Sequence, residues 1–166
     1  MSAAMIISHN ICLFITHRTN AEGKKEYLML DYPGYVREKD HVGNSIPSQI
    51  HHMSNLPNVT ALGFPHGREK LELDEPITTT IERVFKDRTG ATLKTPWDST
   101  RWIAGGTEEE PCRWLMFTPK TWDGSLSMQS GHTKFEWYTV EQLREMKASG
   151  VVFTDGTADL IDNHLD

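Results

Sequence analysis

The sequence predicts an α+β fold from three observations. Short runs of strand-forming residues recur along the chain, one segment carries a helical stripe of apolar residues behind a Gly turn, and a Trp-bearing strand leads directly into a second amphipathic helix near the C-terminal end. With 166 residues, 37% of them hydrophobic and 24% charged, the chain is long enough to bury a core of its own, and one domain over 1–166 is expected.

The elements follow in order. Residues 11–15 and 27–30 are strand-like runs separated by the polar segment 18–25, which reads as a hairpin. From about 32 to 57 the chain carries three prolines and no sustained period, so an insertion or lid is expected there, with a turn of helix at 48–53. A strand at 59–64 runs into the Pro65-His66-Gly67 turn. Pro76 then suits a first helical turn, Ile77, Ile81, Val84 and Phe85 fall on one stripe, and Gly90 supplies the stop. Strands are expected at 102–104, 112–117 and 135–139, a helix at 140–147 with Val140, Leu143 and Met146 at helical spacing, and a short last helix at 159–165. No internal repeat or low-complexity tract occurs.

The formal net charge of −6 gives no general attraction to nucleic acid or to an anionic membrane, so a phosphate ligand needs a metal ion or a local Arg/Lys cluster. Cys12 and Cys112 stand alone without CxxC spacing, which argues against a disulfide framework or zinc ribbon and for an intracellular, cytoplasmic protein. The first 15 residues lack a basic segment, and Ser8, His9 and Asn10 break their apolar run, so they do not read as a secretory signal. No stretch reaches the roughly 18 apolar residues of a membrane helix.

One constellation carries chemistry. Gly63-Phe64-Pro65-His66-Gly67, then Asp74-Glu75-Pro76, then the run from Ile81 to Gly90 resembles the Nudix box, Gly-x5-Glu-x7-Arg-Glu-apolar-x-Glu-Glu-x-Gly. The segment 134–143, where Trp137 precedes a helix bearing Glu141 and Leu143, is similar to the closing strand and helix of that family, and the order of elements agrees over roughly residues 5–146. The resemblance implies an α/β/α sandwich with a mixed central sheet. It also implies a cleft for a nucleoside diphosphate linked to another moiety, with Mg²⁺ or Mn²⁺ held against the diphosphate by acids on one helix face.

The box is degenerate. Counting back from Gly90, Arg83 takes the family's arginine position, Glu75 the upstream glutamate and Phe85 the apolar position, while Val84, Asp87 and Arg88 stand where three acids belong. Gly67 to Glu75 is also eight positions where the family has six. Counting forward from Pro76 instead puts Asp74 upstream and Glu82-Arg83 in place of Arg-Glu, at the cost of a bulge before Gly90. Glu82 and Asp87 are five apart, roughly 140° around a helix, and cannot easily grip one ion. Arg83 and Asp87, four apart, make an ordinary surface ion pair.

Two functions follow. As a Nudix-type pyrophosphohydrolase, weak or impaired, the chain would hold Mg²⁺ or Mn²⁺ through Glu75, Glu82 and Asp87, orient a carboxylate with Arg83, and contact phosphate through Gly67, His66 and Arg68. As a non-catalytic module it would keep the cleft and bind a nucleotide, an RNA or a protein partner with no cofactor. A structural subunit is a third class, and the oligomeric state is not written in the sequence.

Other residues carry plainer readings. His41, His51 and His52 suit a solvated loop better than zinc, and His66 suits an exposed turn as well as an anion contact. Trp97, Trp102, Trp114, Trp122 and Trp137 suit packing better than base stacking. Glu108, Glu109 and Glu110 read as a solvated loop. Arg68, Lys70 and Arg88 beside the signature loop could hold phosphate without metal, although a solvated face is the default.

Overall fold

A computed structural model of the chain describes residues 9–36, 38–39, 45–46, 58–69, 74–94, 98–106, 111–163 and 165. Its elements run β1 (His9–Phe14), β2 (His17–Thr19), β3 (Lys25–Val36), β4 (Glu38–Lys39), β5 (Ser45–Ile46), β6 (Asn58–Gly63), β7 (His66–Arg68), α1 (Ile77–Thr89), β8 (Thr92–Leu93), β9 (Asp98–Gly106), β10 (Pro111–Thr118), β11 (Trp122–Asp123), β12 (Phe135–Thr139), α2 (Val140–Ala148) and α3 (Asp155–Asn163).

The central sheet has the order β7-β1-β10-β9 and is mixed: β1 runs parallel to β10 and antiparallel to β7. Alternation along β1 assigns its two faces. Ile11 and Leu13 join Trp114, Met116, Val140, Leu143, Leu160 and Ile161 on the side of α2 and α3, whereas Cys12 and Phe14 join Ile81, Val84 and Phe85 of α1 on the other. Helices therefore cover both faces, as in the expected α/β/α sandwich. A second sheet, β12-β3-β2 with β6 also paired to β3, contributes Tyr27, Met29 and Leu62 to the α2/α3 side.

Helix α1 begins one residue later than a first-turn proline at 76 implies. Pro76 is the N-cap, and Gly90 closes the helix at φ 79°, a left-handed conformation that glycine adopts without a Cβ clash, with its N–H bonded to the Lys86 carbonyl. Phe85 meets the Phe14 ring edge-on at 5.2 Å, and each of Ile81, Val84 and Phe85 gains about 1.5–3 kcal/mol from burial. Ile77 departs from the expected stripe and stays 38% exposed. Helix α2 starts with a capping box in which Thr139 and Gln142 bond each other's backbone N–H.

Three expectations need correction. Residues 11–15 and 27–30 do not form a hairpin with each other. The hairpin partner of β3 is β2, joined by a turn in which the Asn20 side chain accepts from the N–H groups of Glu22 and Lys24, while β1 belongs to the other sheet. The expected insertion does not begin at 32, because β3 continues through Val36 against β6. The last helix starts at Asp155, earlier than expected, because residues 152–154 dock on β6 through reciprocal backbone bonds with Leu62. The turn of helix at 48–53, His41, His51, His52, Lys70, Trp97 and residues 108–110 lie outside the described residues.

No helix among the described residues is long and apolar enough to cross a membrane. Cys12 is a free thiol sealed in the core, and burial pushes its pKa up to about 12, which leaves it unreactive.

Candidate functional site

The signature residues converge on α1 and the strand edge facing it. Gly67 in β7 crosses the helix so closely that a Cβ there would lie 3.1 and 3.2 Å from the two Val84 methyls. Glycine is needed for that approach, and Val84, 1% exposed, fills the space beneath it.

On one side of this crossing the family's scaffold pair is complete. Arg83 donates from Nε to Glu75 Oε2 at 2.8 Å and from Nη2 to Glu75 Oε1 at 2.9 Å, a two-pronged contact. Thr80 Oγ1 donates to the same Oε1 at 2.7 Å, and Arg83 Nη2 also reaches the Arg68 carbonyl at 2.7 Å. Because it is Glu75 that meets Arg83, with α1 unbroken from 77 to 89, the geometry follows the register counted back from Gly90. Arg83 Nη1 further approaches Asp87 Oδ2 at 3.4 Å, but the Asp87 side chain is 59% exposed. The arrangement is an electrostatic brace tying helix, loop and β7 together.

On the other side lies a second cation, Arg88. Arg88 donates from Nε to the His66 carbonyl at 2.9 Å and from Nη1 to His132 Nε2 at 3.1 Å, and its guanidinium carbon lies 5.5 Å from the Tyr32 ring centre. His132 directs Nδ1 at the Asp31 carbonyl, 2.6 Å away, so that nitrogen carries the proton and Nε2 is the acceptor for Arg88. Tyr32 stacks on His66 with ring centres 4.0 Å apart, and its hydroxyl accepts from the His66 N–H at 2.8 Å.

His66 is not the exposed turn histidine its setting in the sequence suggested. It is 3% exposed, between Tyr32 and Trp114, with Nδ1 donating to the Phe64 carbonyl at 2.8 Å. Burial, abetted by the nearby Arg88 charge, drives its pKa down to about 3, so the ring is neutral and its contribution to the site is its backbone carbonyl. Burial likewise lifts the Tyr32 hydroxyl to about 12. For Asp31, burial alone would raise the pKa, but bonds from the Lys134 N–H and from the hydroxyl and N–H of Thr133 prevail and lower it.

A metal donor set here would have to come from the acids of this segment. Both Glu75 oxygens accept from Arg83 and one also from Thr80, Val84 offers methyls, Arg88 brings positive charge, and Glu82 and Asp87 face solvent. Among the described residues, no group of three or more His, Cys, Asp or Glu side chains is placed to hold a metal ion. The described side chains thus do not fit the Mg²⁺ or Mn²⁺ cluster that the family pattern implies.

Glu75, Arg83, Asp87, Gly67, His66 and the Arg68 carbonyl are brought together, whereas the Arg68 side chain and Glu82 point outward. Sequence reasoning missed Tyr32, His132 and Asp31. Tyr32 falls at the start of the expected insertion, and His132 lies in a polar stretch beside Gly131; only their three-dimensional meeting around Arg88 distinguishes them. Three tryptophans have described side chains. Trp114 is core, Trp122 packs near Phe85, and Arg18 lies over the Trp137 ring at 4.5 Å.

Known structures share this architecture. The chain is similar to the Nudix domain of Shewanella oneidensis NrtR, solved in complex with ADP ribose (12% identity, 96% of this chain and 87% of that one, TM-score 0.59). It is also similar to a Nudix hydrolase from Nitrosomonas europaea (14% identity, 93% and 86%, TM-score 0.57) and to a MutT Nudix hydrolase from Burkholderia pseudomallei (12% identity, 94% and 97%, TM-score 0.58). No protein-family model and no curated protein sequence matches the chain. At these identities the likeness establishes the Nudix fold.

Proposed function

We propose that this Nudix-fold chain binds a nucleoside diphosphate linked to another moiety beside α1 and β7, without metal-dependent hydrolysis. The observation that carries the reading is the pair of positions where the box calls for metal-holding acids: Val84 is buried under Gly67, and Arg88 is bonded to His66 and His132. A carboxylate cluster that gathers divalent ions cannot be assembled around a guanidinium. The nucleotide class is supported by the ADP ribose in the Shewanella oneidensis domain, whose fold this chain shares.

A hydrolase reading is favoured by one observation, the retained Glu75–Arg83–Asp87 line, in which Asp87 keeps an exposed carboxylate on the helix. The two are separated by incubating a panel of nucleoside diphosphate derivatives with Mg²⁺ or Mn²⁺ and following product formation for wild type and Asp87→Ala. The binding reading expects saturable binding of at least one compound and no turnover. Turnover that Asp87→Ala abolishes would establish the hydrolase, and an absence of nucleotide binding would remove the proposed ligand class.

A further inference from the structure

We propose that Arg88 is a resident cation that takes over the charge-neutralising role of the metal, gripping a phosphoryl oxyanion of the ligand directly. This rests on the nucleotide-binding reading above and adds the group that recognises the diphosphate. A guanidinium has five N–H donors in a planar fork. Two of Arg88's are committed, and both go to neutral acceptors, the His66 carbonyl and His132 Nε2. Those two bonds and the Tyr32 ring fix the plane of the fork while leaving the Nη2 donors uncommitted among the described residues.

Among the described residues its charge is equally uncompensated. Arg83 has Glu75 and Asp87, and Arg18 has Glu26, but no described carboxylate pairs with Arg88. Asp31, which lies behind His132, has its carboxylate engaged by Thr133 and Lys134. A partly buried cation without a counter-charge is costly until an anion arrives. Access is also provided for. The Arg88 side chain is only partly buried, and glycine at 67 places no Cβ within contact of its Nη2. An arginine held in place by neutral partners, with donors to spare, suits the two-pronged recognition of phosphate.

The test is titration of ADP ribose and of inorganic pyrophosphate into the full chain in EDTA, for wild type, Arg88→Gln and Arg88→Lys, with thermal unfolding as the check on folding. Wild type is expected to bind without metal. Arg88→Gln should weaken binding about tenfold to a hundredfold, the scale of a lost charge-assisted contact, and Arg88→Lys should fall between because it keeps the charge but not the fork. Added salt should weaken wild type more than Arg88→Gln. If Arg88→Gln does not fold, Arg88→Lys carries the test, and wild-type affinity in that variant overturns the assignment. Metal-free ADP ribose binding that is equal in wild type and Arg88→Gln overturns the role of Arg88 and leaves the nucleotide reading standing. Binding of neither ligand under any condition overturns both.

Discussion

Helix α1 carries two adjacent stripes built from different chemistry. Along one, Arg83 and Asp87 continue the acid–base line that starts at Glu75 and ties the helix to β7. Along the other, one residue further on, Val84 and Arg88 pack under Gly67 and against His66 and His132. The first stripe is a brace whose work is structural, and the family pattern survives there. The second, at the positions where the Nudix resemblance implies metal-holding acids, offers a buried methyl-bearing side chain and a partly buried cation. Scaffold electrostatics and reaction electrostatics are thus separable on a single helix, because residues i and i+1 point about 100° apart.

Restoring one missing acid is the most severe way to probe this contrast. Val84→Glu would put a carboxylate in a site 1% exposed, with the Arg88 stripe already packed around it, and is expected to destabilise the protein by about 3–5 kcal/mol. The introduced group would titrate above its unfolded value, so the deficit should grow as pH rises from about 4.3. A mild deficit that Mg²⁺ reverses would show that the stripe can still be a metal site. Breaking the brace comes next. Glu75→Ala leaves Arg83 without the acid that takes two of its donors, in a contact where the Glu75 side chain is only 7% exposed, and should cost about 2–4 kcal/mol in urea unfolding.

Acid should loosen the Arg88 stripe before the Arg83 stripe. His66 has a folded pKa of about 3, below its unfolded value near 6.5, so its burial contributes stability that is fully present above about pH 6.5 and is lost as pH falls toward 3. Between pH 6.5 and 4.5 this group alone should remove about 2–3 kcal/mol, and His66→Gln should flatten that slope. A wild-type stability that is level over this range would contradict the buried, neutral ring. The smallest effect is expected from Asp87→Ala, about 0.3–0.5 kcal/mol, because its pair with Arg83 is solvent-screened.

The parts of the molecule legible in sequence are those encoded locally. Pro76 and Gly90 bracket α1, Ile81, Val84 and Phe85 set its buried face, and Thr139 with Gln142 starts α2. Counting residues named the Arg83–Asp87 pair, but it left two registers for the upstream acid, and it is Glu75 that meets Arg83. What periodicity does not encode is the partner of a strand. The run at 11–15 could pair with any other, and it pairs with β10, about a hundred residues away, and with β7. The same limit hid the second half of the site. His66 reads as a turn residue because its cover, Tyr32, comes from a distant strand, and Arg88 reads as solvated because His132 lies 44 positions further along the chain.

On the proposed reading the fixed positive charge of Arg88, beside the Glu75–Arg83 brace, holds the ligand without a metal ion. Equilibrium titration of ADP ribose in EDTA and again in excess Mg²⁺ tests it most directly. The account predicts the same affinity, within about twofold, in both conditions, with no consumption of the ligand. Binding that appears only with Mg²⁺, or ligand that is cleaved when Mg²⁺ is added, would contradict it.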